Sequence, residues 1–256
     1  GRQDILGRLE RMLDEILADG RRQIVLLTGE AGVGKSRLVQ EFRRSLADTQ
    51  VNVFQGSCMT YARSRPLWLL ADVLRNIIGI SEADPASLQR EAVRAYLNAL
   101  GLAGSTHHHL LTVLGLDRPA RVSQSLPRDI DSAAQRKLTY AALWELLLAE
   151  TRQAPSVLVF DDLHWIDAAS RDFLDQFIQS GTDLPVMMVL VSRDAEPQTR
   201  VRPLVDAIKR SSQPLVRIRL EPLSEHEGRQ LMDQLLGPGD GIMGKLKREI
   251  VGRAEG

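Results

Sequence analysis

Gly29-Glu30-Ala31-Gly32-Val33-Gly34-Lys35-Ser36 has the spacing G-x-x-x-x-G-K-S. Each residue type in it has a use around a polyphosphate. Glycines let a backbone wrap closely around phosphate oxygens with its N–H groups turned inward. A helix starting at the end of the loop adds its positive pole. Lys35 can reach the β- and γ-phosphates as a point charge, and Ser36 can ligate Mg²⁺ through its hydroxyl. A second candidate string is Phe160-Asp161-Asp162, at the end of the apolar run Val157-Leu158-Val159. A carboxylate at a strand's end can hold Mg²⁺ opposite Ser36, and Asp161 is assigned that role. Asp162 is placed to orient or deprotonate an attacking water. The competing reading of Asp162 is a helix cap. Arg193 follows another apolar run and suits a γ-phosphate contact by charge-assisted hydrogen bonds, or else a surface ion pair.

Such groups need strands that end together and helices that begin there. Ile24-Val25-Leu26-Leu27-Thr28 precedes the loop as a buried strand, and Arg37–Phe42 continues it as a helix. Apolar residues at helical spacing over 3–19 predict a leading helix stopped by Gly20. Val51–Phe54 predicts a second strand ended by Gly56. Residues 57–153 have no strand-like run and predict a helical insertion packed on the sheet. Within it Pro66 and Pro85 open helices. A long helix through Glu150 carries Leu138, Ala142, Leu146 and Leu147 on one face, capped by Asp131 or Ser132. His107-His108-His109 is expected in a polar loop, since three adjacent histidines cannot share one helical face as metal ligands.

Ser156–Phe160 and Val186–Val191 predict strands buried on both faces, as in a parallel sheet. Helices are expected over 167–180 and about 201–211, and Leu215–Leu220 alternates like an edge strand. Ser224 caps a helix over 225–236 with Glu227 at the capping-box position. Residues 237–241 are a linker, and a last helix covers 242–254. Strands alternating with helices predict an α/β fold with a parallel sheet and right-handed crossovers.

Composition narrows the function. With 33 basic and 33 acidic residues, nothing argues for a nucleic-acid or membrane surface. The apolar runs fall short of the ~20 residues of a membrane span, and no leader is recognised, so a cytoplasmic location is expected. Cys58 is the single cysteine, which excludes an internal disulfide and suits a reducing compartment. Its bland reading is a small buried apolar side chain.

Gly29–Ser36 continuing as Arg37-Leu38, then Phe160-Asp161-Asp162-Leu163-His164-Trp165-Ile166-Asp167, then Val191-Ser192-Arg193, resemble the AAA+-like ATPase domain of the STAND class. These are signal-transduction ATPases with numerous domains. The D-D-L-H-W-x-D string is most similar to the modules of large LuxR-type regulators and of nucleotide cyclases. Gly1-Arg2 resembles the family's opening.

The resemblance implies a P-loop three-layer sandwich with a five-stranded sheet in the order 5-1-4-3-2. It implies a core over 1–222 and a helical lid over 223–256, broken off at the chain's end as in a piece of a larger bacterial regulator. It places Gly1 and Arg2 near adenine, adds Arg37 to the nucleotide-contacting set, and makes Arg193 the phosphate sensor. The expected ligands are ATP or ADP with Mg²⁺. The expected activity is slow hydrolysis as a switch, with other modules of the protein and self-association in the ATP state as partners. A steady-turnover remodelling ATPase, needing an arginine finger such as Arg200, Arg202 or Arg210, is the alternative, as is a scaffold binding nucleotide structurally. Trp165 is expected as a packing anchor below the site.

Overall fold

The computed structural model describes residues 2–60, 65–102, 104–117, 133–180, 184–193, 201–211 and 213–223. Helix α1 (Gln3–Asp19) ends at Gly20, which takes the left-handed conformation that closes a helix. Strand β1 (Gln23–Gly29) runs into the glycine-rich loop, and α2 (Lys35–Ser45) leaves it. Strand β2 (Asn52–Ser57) is followed by four helices, α3 (Trp68–Ile78), α4 (Ala86–Ala99), α5 (Ser105–Leu114) and α6 (Ala133–Gln153). Then come β3 (Ser156–Asp161), α7 (Ala168–Gln179), β4 (Val186–Val191), α8 (Arg202–Arg210) and β5 (Leu215–Leu220).

All strand pairs are parallel, in the order β2-β3-β4-β1-β5. This is the expected 5-1-4-3-2 sheet. Because successive side chains point to opposite faces, the central strands feed two apolar layers. Val25, Leu27, Val157, Val159, Met187 and Val189 pack against α1 and α2 through Leu9, Leu13, Ile16, Leu38 and Phe42. Ile24, Leu26, Leu158, Phe160, Met188 and Leu190 face α3 and α5–α8. The two-sided burial explains why β3 and β4 are unbroken apolar runs. The helices after β2 share the sheet's apolar cluster, so the insertion is packed on the sheet as expected. Among the described residues no helix is long and apolar enough to cross a membrane.

Four local expectations are corrected. Gly56 does not end β2 but sits inside it, opposite Phe160. A Cβ there would lie 2.5 Å from Val73 Cγ2 and 2.8 Å from the Leu69 carbonyl oxygen, so glycine lets α3 press directly on the strand. The histidine triplet lies in helix α5, not a loop, because Leu110, Leu111, Val113 and Leu114 drive that segment into the core. His109 is buried while His108 is exposed, with their two rings edge to face at 5.6 Å. Leu138 is 52% exposed, since Tyr140, Leu143 and Leu147 form the inward stripe of α6 beside Ala142 and Leu146. Pro66 does not open α3, which begins after Leu67 in the left-handed conformation (φ 61°). The expected caps Asp131 and Ser132, and the elements beyond Leu223, lie outside the described residues.

The glycines give a paired stability test. Gly56→Ala is expected to cost about 1–3 kcal/mol by overpacking, lowering Tm by about 2–4 °C per kcal/mol at this size. Gly7→Ala, in α1 with no atom within 4 Å of the added Cβ, is expected to stabilise by about 0.5–1 kcal/mol. Thermal melts of the two variants check both signs.

Candidate functional site

The carboxyl end of a parallel sheet collects the segments that leave it, and here it gathers the two strings picked out above. Gly29 ends β1 with φ 156°, and a Cβ on it would lie 2.6 Å from the Leu220 carbonyl oxygen. Gly34 takes φ 93° and begins α2, whose first closing bond runs from the Leu38 N–H to the Gly34 carbonyl at 3.0 Å. Between them Glu30, Ala31 and Gly32 face solvent, and Val33 is buried beneath the loop. Lys35 is buried, and its ammonium donates to the carbonyls of Gly29 (2.9 Å) and Glu30 (2.6 Å). The loop is thus curled around its own lysine.

Asp161 ends β3 and is 6% exposed. Its carboxylate accepts a hydrogen bond from the Asp162 N–H (2.8 Å), and the Ser36 side chain lies near enough to act on it. The expected partners, Ser36 and Asp161, are therefore brought side by side, with the Lys35 charge close enough to act on the carboxylate. Burial raises the Asp161 carboxyl above its ordinary range. The Asp162 N–H opposes this and the Asp162 charge adds to it, while Ser36 and Lys35 oppose it more weakly. Among the described residues no group of three or more His, Cys, Asp or Glu could hold a metal alone. An all-oxygen pair of one hydroxyl and one carboxylate fits Mg²⁺, which takes one or two protein ligands and completes its shell with water and phosphate.

Asp162 has φ 55°, a conformation that side chains other than glycine's adopt at a cost of ~1–3 kcal/mol. Its side chain is about half exposed and lies 3.7 Å from His164 Nδ1. It opens the short 3-10 turn Leu163–Trp165 but makes no capping hydrogen bond with its side chain. Trp165 packs on the core beside His164, with ring centroids 4.7 Å apart. Cys58 is buried, and its thiol is pushed up by burial and by the charges of Asp167, Asp162, Asp161 and Asp72.

Arg2 reaches the loop from α1's start. Its Nη2 donates to the Glu221 carbonyl at 3.3 Å, and its guanidinium lies against Gly34. Gly1 lies outside the described residues. Arg37 points to solvent and pairs with Glu41 at 3.0 Å, away from the loop. Arg193 is exposed, two residues past the Val191–Leu27 pair, at the loop's end of the sheet. Of the finger candidates, Arg202 pairs with Asp206 and Arg210 with Asp175, while Arg200 lies outside the described residues.

Sequence reasoning did not assign Asp167 a role. It is 5% exposed, and its Oδ1 accepts from both the Ser170 N–H, capping α7, and the Leu67 N–H ahead of α3, each at 2.9 Å. The local signal was its place ahead of Ala168-Ala169-Ser170, that of an N-cap. Its second partner, a hundred residues away, has no local signal.

Sheet order, loop and carboxylate together define a P-loop nucleoside triphosphatase fold. The chain belongs to the AAA ATPase domain family, whose model matches residues 1–190. An uncharacterized protein of Rhizobium meliloti (strain 1021) is 30% identical over 192 residues, which is 75% of this chain and 18% of that protein. The chain thus spans about a fifth of that relative's length. Among solved structures it is similar to the ORC2 protein of Aeropyrum pernix in ADPNP–ADP complexes, with 13% identity and a TM-score of 0.48, over 91% of this chain and 50% of that one. It is also similar to a signal transduction ATPase with numerous domains (STAND) carrying a tetratricopeptide repeat sensor, from Pyrococcus horikoshii. There the identity is 12% and the TM-score 0.41, over 94% of this chain and 27% of that one.

Burial of the Asp161 carboxylate has a pH signature. A carboxyl whose pKa is raised by folding binds more protons folded than unfolded, so its charge subtracts stability as pH rises past the ordinary value of 3.8. Asp161→Asn is therefore expected to raise Tm of the metal-free protein at pH 7, with the gain shrinking as pH is lowered. The same variant is expected to lose the Mg²⁺-dependent part of ATP affinity by about 10- to 100-fold, the range of a charge-assisted bond. Melts over a pH series and ATP titrations with and without Mg²⁺ check the two halves.

Proposed function

We propose that this domain binds ATP with Mg²⁺, hydrolyses it slowly, and acts as a nucleotide-controlled switch within a larger regulatory protein. The observation that carries the reading is the meeting of Ser36 and Asp161 beside the buried Lys35 ammonium. Hydroxyl, carboxylate and ammonium are the set that a metal-bound polyphosphate requires.

In this reading Lys35 turns its ammonium from the Gly29 and Glu30 carbonyls to the β- and γ-phosphate oxygens. The loop N–H groups and the start of α2 supply the remaining positive field. Ser36 and Asp161 hold Mg²⁺, which when bound neutralises charge on the phosphates. Asp162 orients the attacking water or takes its proton. As the shorter acid it reaches less far than glutamate, which suits slow turnover. Arg193 reports the γ-phosphate from the end of β4, and Arg2 holds the nucleotide's side of the loop to the end of β5.

The switch reading is supported by the D-D-L-H-W-x-D string and by the chain's small share of its relative's length. The two nucleotide states would differ in what holds Arg193 and the segment beyond Leu223. Output then comes from other modules of the protein, with self-association in the ATP state as one route.

Two variants test the site. Lys35→Ala is expected to weaken ATP binding by at least ~100-fold, as loss of a buried charge-assisted contact implies. Asp162→Ala is expected to leave affinity within about twofold and to slow hydrolysis by ~10²–10⁴, the range of a general base. Nucleotide titration and single-turnover phosphate release read the two. Equal affinity of Lys35→Ala and the parent defeats the site assignment.

A further inference from the structure

We infer that Asp167 is a positioning residue for hydrolysis, clamping the first helix of the insertion to the turn that aims Asp162. The inference rests on the reading of Asp162 as the group that handles the water.

Among the described residues only Asp162 and Leu67 combine a side chain with a left-handed backbone, at φ 55° and 61°. A residue in that conformation stays there only where its surroundings over-determine it. Both belong to one connected unit. Asp162 is followed by a turn closed by the Trp165 N–H on the Asp162 carbonyl (2.9 Å) and the Ile166 N–H on the Leu163 carbonyl (3.1 Å). Leu163 and Ile166 are buried. The turn ends at Asp167, whose single Oδ1 takes the Ser170 and Leu67 N–H groups together. One carboxylate oxygen thus ties the front of α7, the end of the Asp162 turn and the approach to α3.

The far side of this tie is itself bonded to the sheet. The Asp72 carboxylate accepts the Ser57 N–H at 2.8 Å, and Asn76 accepts the Gln55 N–H at 2.9 Å, so α3 covers the open edge of β2. Gly56 lets the helix press on the strand between those bonds. Ser57 pairs with Asp161, and the Cys58 N–H donates to the Asp161 carbonyl at 3.0 Å. Helix α3 therefore holds the Asp161–Asp162 corner twice, through β2 and through Asp167. Tyr140 of α6 adds a hydrogen bond to the Ala169 carbonyl at 2.8 Å, tying the insertion to the same end of α7. A simple helix cap at Asp167 would need only the Ser170 contact. The bond to Leu67 is what makes the insertion part of the catalytic corner.

The test compares D167S, D167N and D162A in the 256-residue chain. Serine caps a helix about as well as aspartate, but its single short hydroxyl does not span both N–H groups. Asparagine keeps the accepting Oδ1 and loses the charge. Readouts are 2′(3′)-N-methylanthraniloyl-ATP affinity, the single-turnover rate of γ-phosphate release from ³²P-labelled ATP, and Tm. D167S is expected to slow release by about tenfold or more with affinity within about twofold, and D167N is expected to recover the parent rate to within about threefold. A D167S rate equal to the parent's overturns the inference, as does affinity falling in step with rate, or an equal loss in D167N. Where D167S melts below the assay temperature, the comparison is run at a temperature below its Tm, and a D167S rate equal to the parent's there overturns the inference. If D162A turns over at the parent rate, the reading of Asp162 fails, and this inference fails with it. If D162A is slow while D167S is not, only the clamp fails.

Discussion

One juxtaposition organises the molecule: Ser36, at the end of the loop, beside the Asp161 carboxylate. The two residues come from the ends of different strands, β1's loop and β3, with β4 between them. They can meet only if both strands run the same way and finish level. An all-parallel sheet delivers this, at the cost of a crossover between every pair of strands. The apolar runs of β1, β3 and β4 are the physical requirement of such a sheet, since helices must cover both of its faces. Site and core are in this sense one demand on the chain. The loop tolerates its left-handed turns because glycine carries no Cβ, and the strand before it is held by neighbours on both sides.

The site does not stabilise the fold. Lys35 and Asp161 are buried, and Asp161 sits above its ordinary pKa because burial penalises its charge. Asp162 and Leu67 hold backbone conformations that their residue types avoid. These costs are offset by two apolar layers, one built with α1 and α2 and the other with α3 and α5–α8, into which Val33 of the loop and Leu163 and Ile166 of the Asp162 turn are anchored. A domain arranged this way gathers its strained and charged groups at one end of the sheet.

The insertion is more than a covering layer. Its first helix takes the place that a further strand would hold at β2's edge, using Asp72 and Asn76 to satisfy strand N–H groups. This also blunts an edge that would otherwise be open to pairing with another chain. The same helix is joined to the site string through Asp167. Belonging to the AAA ATPase family accounts for the sheet and loop. Beyond the sheet and loop, the insertion is fastened to the corner that carries Asp161 and Asp162, through the Leu67 N–H on Asp167 and the Cys58 N–H on the Asp161 carbonyl.

What could be read from the chain alone was whatever depends on short range. The loop octet, the apolar runs ending in Asp161 and Val191, the Gly20 stop and the inward face of α7 are fixed within a few residues by backbone freedom, burial and period. Family resemblance supplied the strand order, and the sheet bears it out. Long-range partners decided the rest. Gly56 looked like a stop because its reason, the approach of α3, lies outside its strand. The histidine triplet looked polar because the leucines after it act only once α6 is present to receive them. Asp167 carried a visible capping position, yet its bond to Leu67 joins segments that only the folded chain brings together. Local sequence determined the parts that a polyphosphate requires. Tertiary packing decided how the insertion is fastened to them, because a hydrogen bond between distant segments leaves no period and no spacing to read.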